Sequence, residues 1–171
     1  MKSNTLSIIA VILVIFVGLF LWGYAGNGAT TASVQGSTVA ANAASGLTAP
    51  EKFYDFGTIS MKNGNVTKEF VVTNPTDKDV TASTLVTSCM CTAAFFVLPD
   101  GSAKGPFGMP GMGSVPPVND VIKAGESRAI RVIYNPNAHG PAGVGQIDRF
   151  VTLTDAAGAA IEFEIKALVT P

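Results

Sequence analysis

Apolar and polar residues alternate along much of the chain after Pro50, and this alternation predicts β-strands. The C-terminal segment shows the pattern most clearly, with apolar side chains at every second position from Ile161 to Val169 and charged ones at Glu162, Glu164 and Lys166. Successive side chains of a strand point to opposite faces, so we expect one buried face and one solvated face. Because no stretch of this region keeps the i, i+3, i+4 spacing of an amphipathic helix, the pattern favours an all-β domain.

The same alternation, bounded by turn residues, predicts further strands at residues 66–73, 79–87, 128–134 and 147–155. It predicts eight buried side chains: Phe70, Val72, Ile130, Val132, Val151, Ile161, Phe163 and Ile165. We expect Arg128 and Arg131 to point to solvent. Short strands at intervals of about ten residues are typical of an antiparallel, immunoglobulin-like β-sandwich, and about seven strands fit this chain.

Residues 99–120 interrupt the alternation. Gly and Pro are so frequent there that we expect neither a strand nor a helix. The segment is predicted to be one long loop, and loops of this length in compact domains are often functional or disordered.

An uncharged apolar run covers residues 6–25, which is twenty residues. A helix of about 20 apolar residues can cross the hydrocarbon core of a bilayer, so residues 1–25 are predicted to form one N-terminal transmembrane helix. Trp22 and Tyr24 suit the headgroup level at one end. Lys2 at the other end should stay in the cytoplasm, which places the rest of the chain on the extracytoplasmic side of the cell membrane. A cleaved signal peptide is the alternative, and it leads to the same compartment.

Composition divides the remainder into two parts. Residues 26–50 are rich in Ala, Gly, Ser and Thr and carry no charge, a composition that predicts a flexible linker. Residues 51–171 hold all twelve acidic and ten of the eleven basic residues, a net charge of −2 (ten minus twelve), and are predicted to form one domain. The bases are scattered singly among the acids, so we expect no nucleic-acid partner.

Three segments of the domain carry a resemblance to a known family: Tyr54-Asp55-Phe56-Gly57-Thr58-Ile59, Phe70-Val71-Val72-Thr73-Asn74 and Thr87-Ser88-Cys89-Met90-Cys91-Thr92. In this order they resemble the bacterial domain-of-unknown-function family numbered 1573, with its D-F-G-x-I start, F-x-x-x-N strand and S-C-x-C-T motif. The resemblance implies a seven-stranded extracytoplasmic domain related to the immunoglobulin-like modules of hydin and major sperm protein, and it implies no known reaction. The chain departs from the family in Met90, where Gly is usual, and in the insertion at residues 99–117.

The residue set for hydrolytic catalysis is missing from the sequence. A Ser or Cys nucleophile needs a base and a group that orients it, and the single histidine, His139, has no partner that its position identifies. The carboxylates are scattered, and Glu162 with Glu164 fits a solvated strand face. We therefore expect a protein that is not an enzyme, with a redox role of the cysteines left open.

Cys89 and Cys91 form the one constellation with specific chemistry. In an extended strand they would share a face with Cα atoms about 6.5–7 Å apart, at the limit for a disulfide, so a disulfide would require a bent backbone. Two thiolates on one face can bind a soft ion, and Cu(I) is the metal that this pair predicts. Possible accessory ligands are Met90, Met109, Met112 and His139. The alternatives are two buried thiols that only pack, or a strained disulfide.

The sequence thus predicts a non-catalytic binding or scaffolding module, attached to the membrane through its N-terminal helix and exposed to an unidentified protein or envelope partner. A copper-handling or thiol-redox protein that uses Cys89 and Cys91 is the alternative. A purely structural envelope protein is the third possibility.

Overall fold

The computed structural model describes residues 46–112 and 115–171. The transmembrane helix predicted for residues 1–25 and the linker up to residue 45 lie outside the described residues. Within the described ranges, no helix is long and apolar enough to cross a membrane. The helical elements there are two short 3-10 turns, Met61–Asn63 and Gly140–Gly143.

Nine strands make up the described chain: β1 Phe53–Ser60, β2 Val66–Thr73, β3 Val80–Thr87, β4 Thr92–Val97, β5 Ala103–Phe107, β6 Asp120–Ile122, β7 Ser127–Tyr134, β8 Gly145–Asp155 and β9 Ala160–Thr170. One sheet has the order β1-β9-β8-β3-β6 and the other the order β2-β7-β4-β5. Neighbouring strands are antiparallel except β1, which pairs in parallel with β9. The predicted all-β, immunoglobulin-like sandwich is confirmed, with nine strands instead of about seven.

The core lies between the two sheets, where the apolar faces of the strands meet. The rings of Phe70 on β2 and Phe163 on β9 stack across this interface with their centroids 4.8 Å apart. All eight side chains predicted to be buried are buried. Alternation along the chain was therefore sufficient to identify the inner faces of β2, β7, β8 and β9.

The packed domain begins before residue 51. Leu47 is buried in the core, and Thr48 exchanges two backbone hydrogen bonds of 2.8 Å with Thr73 at the end of β2. Composition alone predicts linker up to residue 50, but Leu47 is a large apolar residue that the domain buries. The chain therefore enters the sandwich beside Thr73, and we call this end of the molecule the Thr73 end.

The prediction of a featureless loop at residues 99–120 was wrong, because the segment contains β5 and the first residue of β6. β5 pairs with β4 at the edge of its sheet, where Pro106 is tolerated because an edge strand needs only one row of hydrogen bonds. Gly105 has φ of 128°, and a Cβ there would lie 2.9 Å from the carbonyl oxygen of Ala94. This close approach of two backbones explains why glycine occupies a strand position.

The prediction that Arg128 points to solvent was also wrong. Arg128 is only 8% exposed and shares the inward face of β7 with Ile130. Its guanidinium donates to the backbone carbonyl of Val121 and to the carboxylate of Glu126, and its Nε lies 3.5 Å from Asp120. The hydrogen bond from Arg128 lowers the pKa of Glu126. Paired carboxylates thus make an inward arginine possible at the end of this strand.

Replacing Phe163 by Ala should remove the inter-sheet stack and lower the free energy of unfolding by about 3–5 kcal/mol, because the ring is fully buried. The matched control is Glu162→Ala on the exposed face of the same strand, for which we expect a change of about 0.5 kcal/mol or less. Urea unfolding of the full-length protein measures both. Equal, small changes in the two variants would mean that the ring does not join the sheets.

Candidate functional site

The turn at residues 88–91 carries the chain from one sheet to the other, because β3 belongs to the five-stranded sheet and β4 to the four-stranded sheet. Hydrogen bonds fix the turn on both sides. Thr87 Oγ1 donates to the carbonyl oxygens of Cys89 and Thr92 at 3.0 and 3.1 Å. Ser88 exchanges backbone and side-chain hydrogen bonds with Phe150 on β8, each 2.9 Å. The crossing therefore bends the backbone at the cysteines.

Cys89 and Cys91 form a disulfide in this turn, and their Cα atoms are 5.3 Å apart. The extended-strand geometry expected for the pair was wrong, since both residues lie between β3 and β4 and outside either strand. The two sulfurs differ in exposure: Cys91 is 2% exposed and packs in the core, whereas Cys89 is only partly buried. Both cysteines of the chain are accounted for by this bond.

His139 lies beside the outer sulfur. It is exposed in the loop that follows β7, and its Nε2 is 3.4 Å from Cys89 Sγ. That loop is fixed by Asn135, whose backbone N–H donates to the carbonyl of Cys91 at 2.9 Å, and by Asn137, whose side chain donates to Met61. The structure thus brings together Cys89, Cys91 and His139, whose ligand atoms lie within 4.8 Å of one another.

Arg149 lies beside the inner sulfur, and its Nε donates to Cys91 Sγ at 3.2 Å. Arg149 is a site residue that was not predicted from the sequence. The sequence does contain a sign of this role. Arg149 lies on the inward face of β8, where its neighbours Ile147, Val151 and Leu153 are all apolar. A charged residue on an otherwise apolar strand face indicates a buried polar partner.

The guanidinium of Arg149 brings positive charge to this end of the core. Burial raises the pKa of Tyr134, and the nearby charge of Arg149 partly offsets that rise. No carboxylate of residues 46–112 and 115–171 forms an ion pair with Arg149, whereas Arg128 pairs with two carboxylates and Arg131 with one. Its other side-chain hydrogen bond goes to the backbone carbonyl of Asp148. The polar group in contact with Cys91 therefore carries an unneutralised charge.

The methionines proposed as accessory ligands lie in different places. Met90 is at the tip of the turn and is 55% exposed. Met109 and Met112 form a turn directly after Gly108, whose carbonyl accepts a hydrogen bond from Thr87 N–H. This attaches the methionine turn to the same end of the sandwich as the cysteines. Met112 is 59% exposed, and Met109 is partly buried.

The cysteine turn lies at the end of the sandwich opposite the Thr73 end, and we call it the cysteine end. β2 connects the two, since Val66 pairs with Tyr134 near the cysteines and Thr73 pairs with Thr48 where the chain enters. The eight residues of β2 span seven steps of about 3.3 Å, which separates the ends by roughly 23 Å. An open surface depression of about 530 Å³, lined in part by Gly46, Val80 and Asp155, lies at the Thr73 end and does not involve the cysteines.

The donor set at the cysteine end fits a soft metal only in the reduced state. Two thiolates and an imidazole match the preferences of Cu(I). In the disulfide the sulfurs have no thiolate charge to offer, so reduction must come before binding.

No known protein family matches the sequence, and no curated protein matches it. Solved structures do match the fold. A Porphyromonas gingivalis protein of unknown function is 13% identical, with a TM-score of 0.50, over 71% of this chain and 46% of that one. The secreted serine protease VesC of Vibrio cholerae is 16% identical, with a TM-score of 0.45, over 73% and 24%. The ASH/PapD-like domain 7 of human CEP192 is 10% identical, with a TM-score of 0.46, over 74% and 87%.

The chain thus spans less than half the length of the Porphyromonas and Vibrio proteins. At these identities the likeness concerns the fold alone.

Proposed function

We propose that the chain is a non-catalytic binding or scaffolding module, tethered to the membrane by residues 1–25 and displayed outside the cytoplasm as a member of the family numbered 1573. The observation that carries this proposal is the placement of the two ends. The chain enters the domain at the Thr73 end, and the cysteine turn, the methionine turn and the His139 loop all lie at the opposite end. A tether at one end leaves these loops free to meet a partner.

Exposed apolar side chains at the cysteine end support a binding role. Met90, Met112 and Val144 are each between 43% and 59% exposed, and all three lie in the loops of that end. Methionine is flexible and polarisable, so it adapts to different partner surfaces. We define these three residues as the distal surface and assign to it the contact with a protein or envelope partner.

The topology can be tested with protease added to intact spheroplasts. Because Lys2 precedes the apolar run and no base follows before Lys52, the domain should be cleaved without detergent, while a cytoplasmic marker stays intact. Protection of the domain until the membrane is dissolved would contradict the proposed location.

The distal surface can be tested by placing a photo-crosslinking amino acid at Met90 in the full-length protein in its native cells. We expect a discrete adduct from this position, because Met90 is exposed at the end opposite the tether. Val121 is the matched control, since it is 44% exposed but lies on β6 near the Thr73 end. The same adducts from both positions, or none from Met90, would count against the distal surface.

Copper handling is the second candidate function, and the observation that favours it is the cluster of Cys89, Cys91 and His139. Thiolates and imidazole are ligands that Cu(I) accepts, and they come here from two loops that the domain holds together. Cys89 and Cys91 would supply the two sulfur ligands, and His139 the nitrogen. Met109 and Met112 remain proposed accessory ligands from the neighbouring turn.

The reduced full-length protein should bind about one Cu(I) per chain in competition with a Cu(I) chelator. Affinity should fall as the pH is lowered, since protons compete for the sulfurs. Replacing both cysteines by Ser should abolish binding, and His139→Gln should weaken it. Met109→Leu with Met112→Leu should weaken it only if the methionine turn closes over the ion. Equal, weak retention by the wild type and the double-Ser variant would eliminate the copper function.

A further inference from the structure

The two sulfurs of the disulfide have different neighbours: one contacts His139 and the other Arg149. Neither partner binding nor copper binding explains this difference. The outer sulfur, Sγ of the partly buried Cys89, faces His139. The inner sulfur, Cys91 Sγ, is buried and accepts a hydrogen bond from the Arg149 guanidinium at 3.2 Å. A neutral disulfide sulfur is a weak acceptor, so the partly buried guanidinium gains little from it. A thiolate at the same position would gain a charge-assisted hydrogen bond.

We propose that the Cys89–Cys91 pair is a thiol–disulfide exchange site with a fixed direction of attack, in which Cys89 is the sulfur attacked and Cys91 the leaving thiolate held by Arg149. The substrate class is a dithiol, from a protein or a small molecule, that reaches the cysteine end. Because Arg149 favours the thiolate, it stabilises the reduced form and makes the pair a stronger oxidant of such dithiols.

The exchange balances in two steps. A thiolate of the dithiol attacks Cys89 Sγ, the Cys89–Cys91 bond breaks, and its electron pair leaves on Cys91 Sγ beside Arg149. The second thiolate of the dithiol then attacks its own sulfur in the mixed disulfide and releases Cys89 as a thiolate beside His139. One disulfide forms in the substrate as one is lost in the protein, so two electrons pass to the cysteine pair.

Burial determines the direction of attack. Cys91 is 2% exposed, and the backbone hydrogen bond from Asn135 to its carbonyl fixes the His139 loop against the turn. An incoming thiol must approach a disulfide along the axis of the S–S bond, and only the Cys89 side of this bond faces solvent. The guanidinium of Arg149, which has no carboxylate partner among the described residues, then lies beside Cys91 Sγ, the sulfur that receives the electron pair.

The first test measures the redox equilibrium of the full-length protein in detergent, in dithiothreitol buffers that contain a metal chelator, by alkylation and mass spectrometry. Arg149→Gln should shift the equilibrium toward the disulfide by about tenfold or more, because it removes a hydrogen bond to a charged group. Arg149→Lys should retain part of the effect. The control is Arg131→Gln, which removes an exposed charge paired with Glu69 and should leave the equilibrium unchanged. An equilibrium unaltered by Arg149→Gln would overturn the role of Arg149.

The second test measures the reaction of single-cysteine variants with dithiodipyridine. Cys91→Ser leaves the outer thiol and should react about tenfold faster, or more, than Cys89→Ser, which leaves the buried one. Equal rates, or faster reaction of Cys89→Ser, would overturn the direction of attack. Neither test uses the binding partner or copper, so its failure is distinguishable from failure of the proposed functions.

Discussion

The two sheets are joined by a buried apolar core in which Phe70 stacks on Phe163, and the geometry of the site depends on this packing of one sheet on the other. Because the sheets pack face to face, the chain must cross between them at the end of β3, and it does so in the four residues from Ser88 to Cys91. The sharp crossing brings the two cysteines close enough to bond. The same packing brings Arg149 of β8 against the inner sulfur. Hydrophobic burial therefore determines the geometry of the polar site.

The two ends of the sandwich differ in structure. The Thr73 end receives the N-terminal segment through Leu47 and Thr48. The cysteine end carries loops whose sequences do not follow the strand alternation. A rigid scaffold with chemistry on its loops is the usual arrangement of binding and reactive residues. The separation of roughly 23 Å, from the seven steps of about 3.3 Å between the eight residues of β2, leaves room for the proposed attachment at one end and the proposed recognition or exchange at the other.

Period-two alternation predicted β2, β3, β7, β8 and β9 and all eight proposed core residues, because one face of each strand must be buried. It failed where a residue's environment depends on a distant strand. β5 was missed because its pairing with β4 outweighs the effect of its Gly and Pro residues. The burial of Arg128 was missed because Asp120 and Glu126 lie beside it only in the folded chain. The cysteine geometry was missed because nothing local shows that β3 and β4 belong to different sheets. Arg149 was visible as a charge on an apolar face, but its partner was not.

The most direct test of the account is the redox state of Cys89 and Cys91 in cells that make the full-length protein, measured by acid quenching, differential alkylation and mass spectrometry. If the pair exchanges with dithiols at the cysteine end, the wild type should be found as a mixture of disulfide and dithiol, and Arg149→Gln should move that mixture toward the disulfide. A complete disulfide in both proteins, or the same mixture in both, would contradict the account and leave the bond as a structural link across the turn.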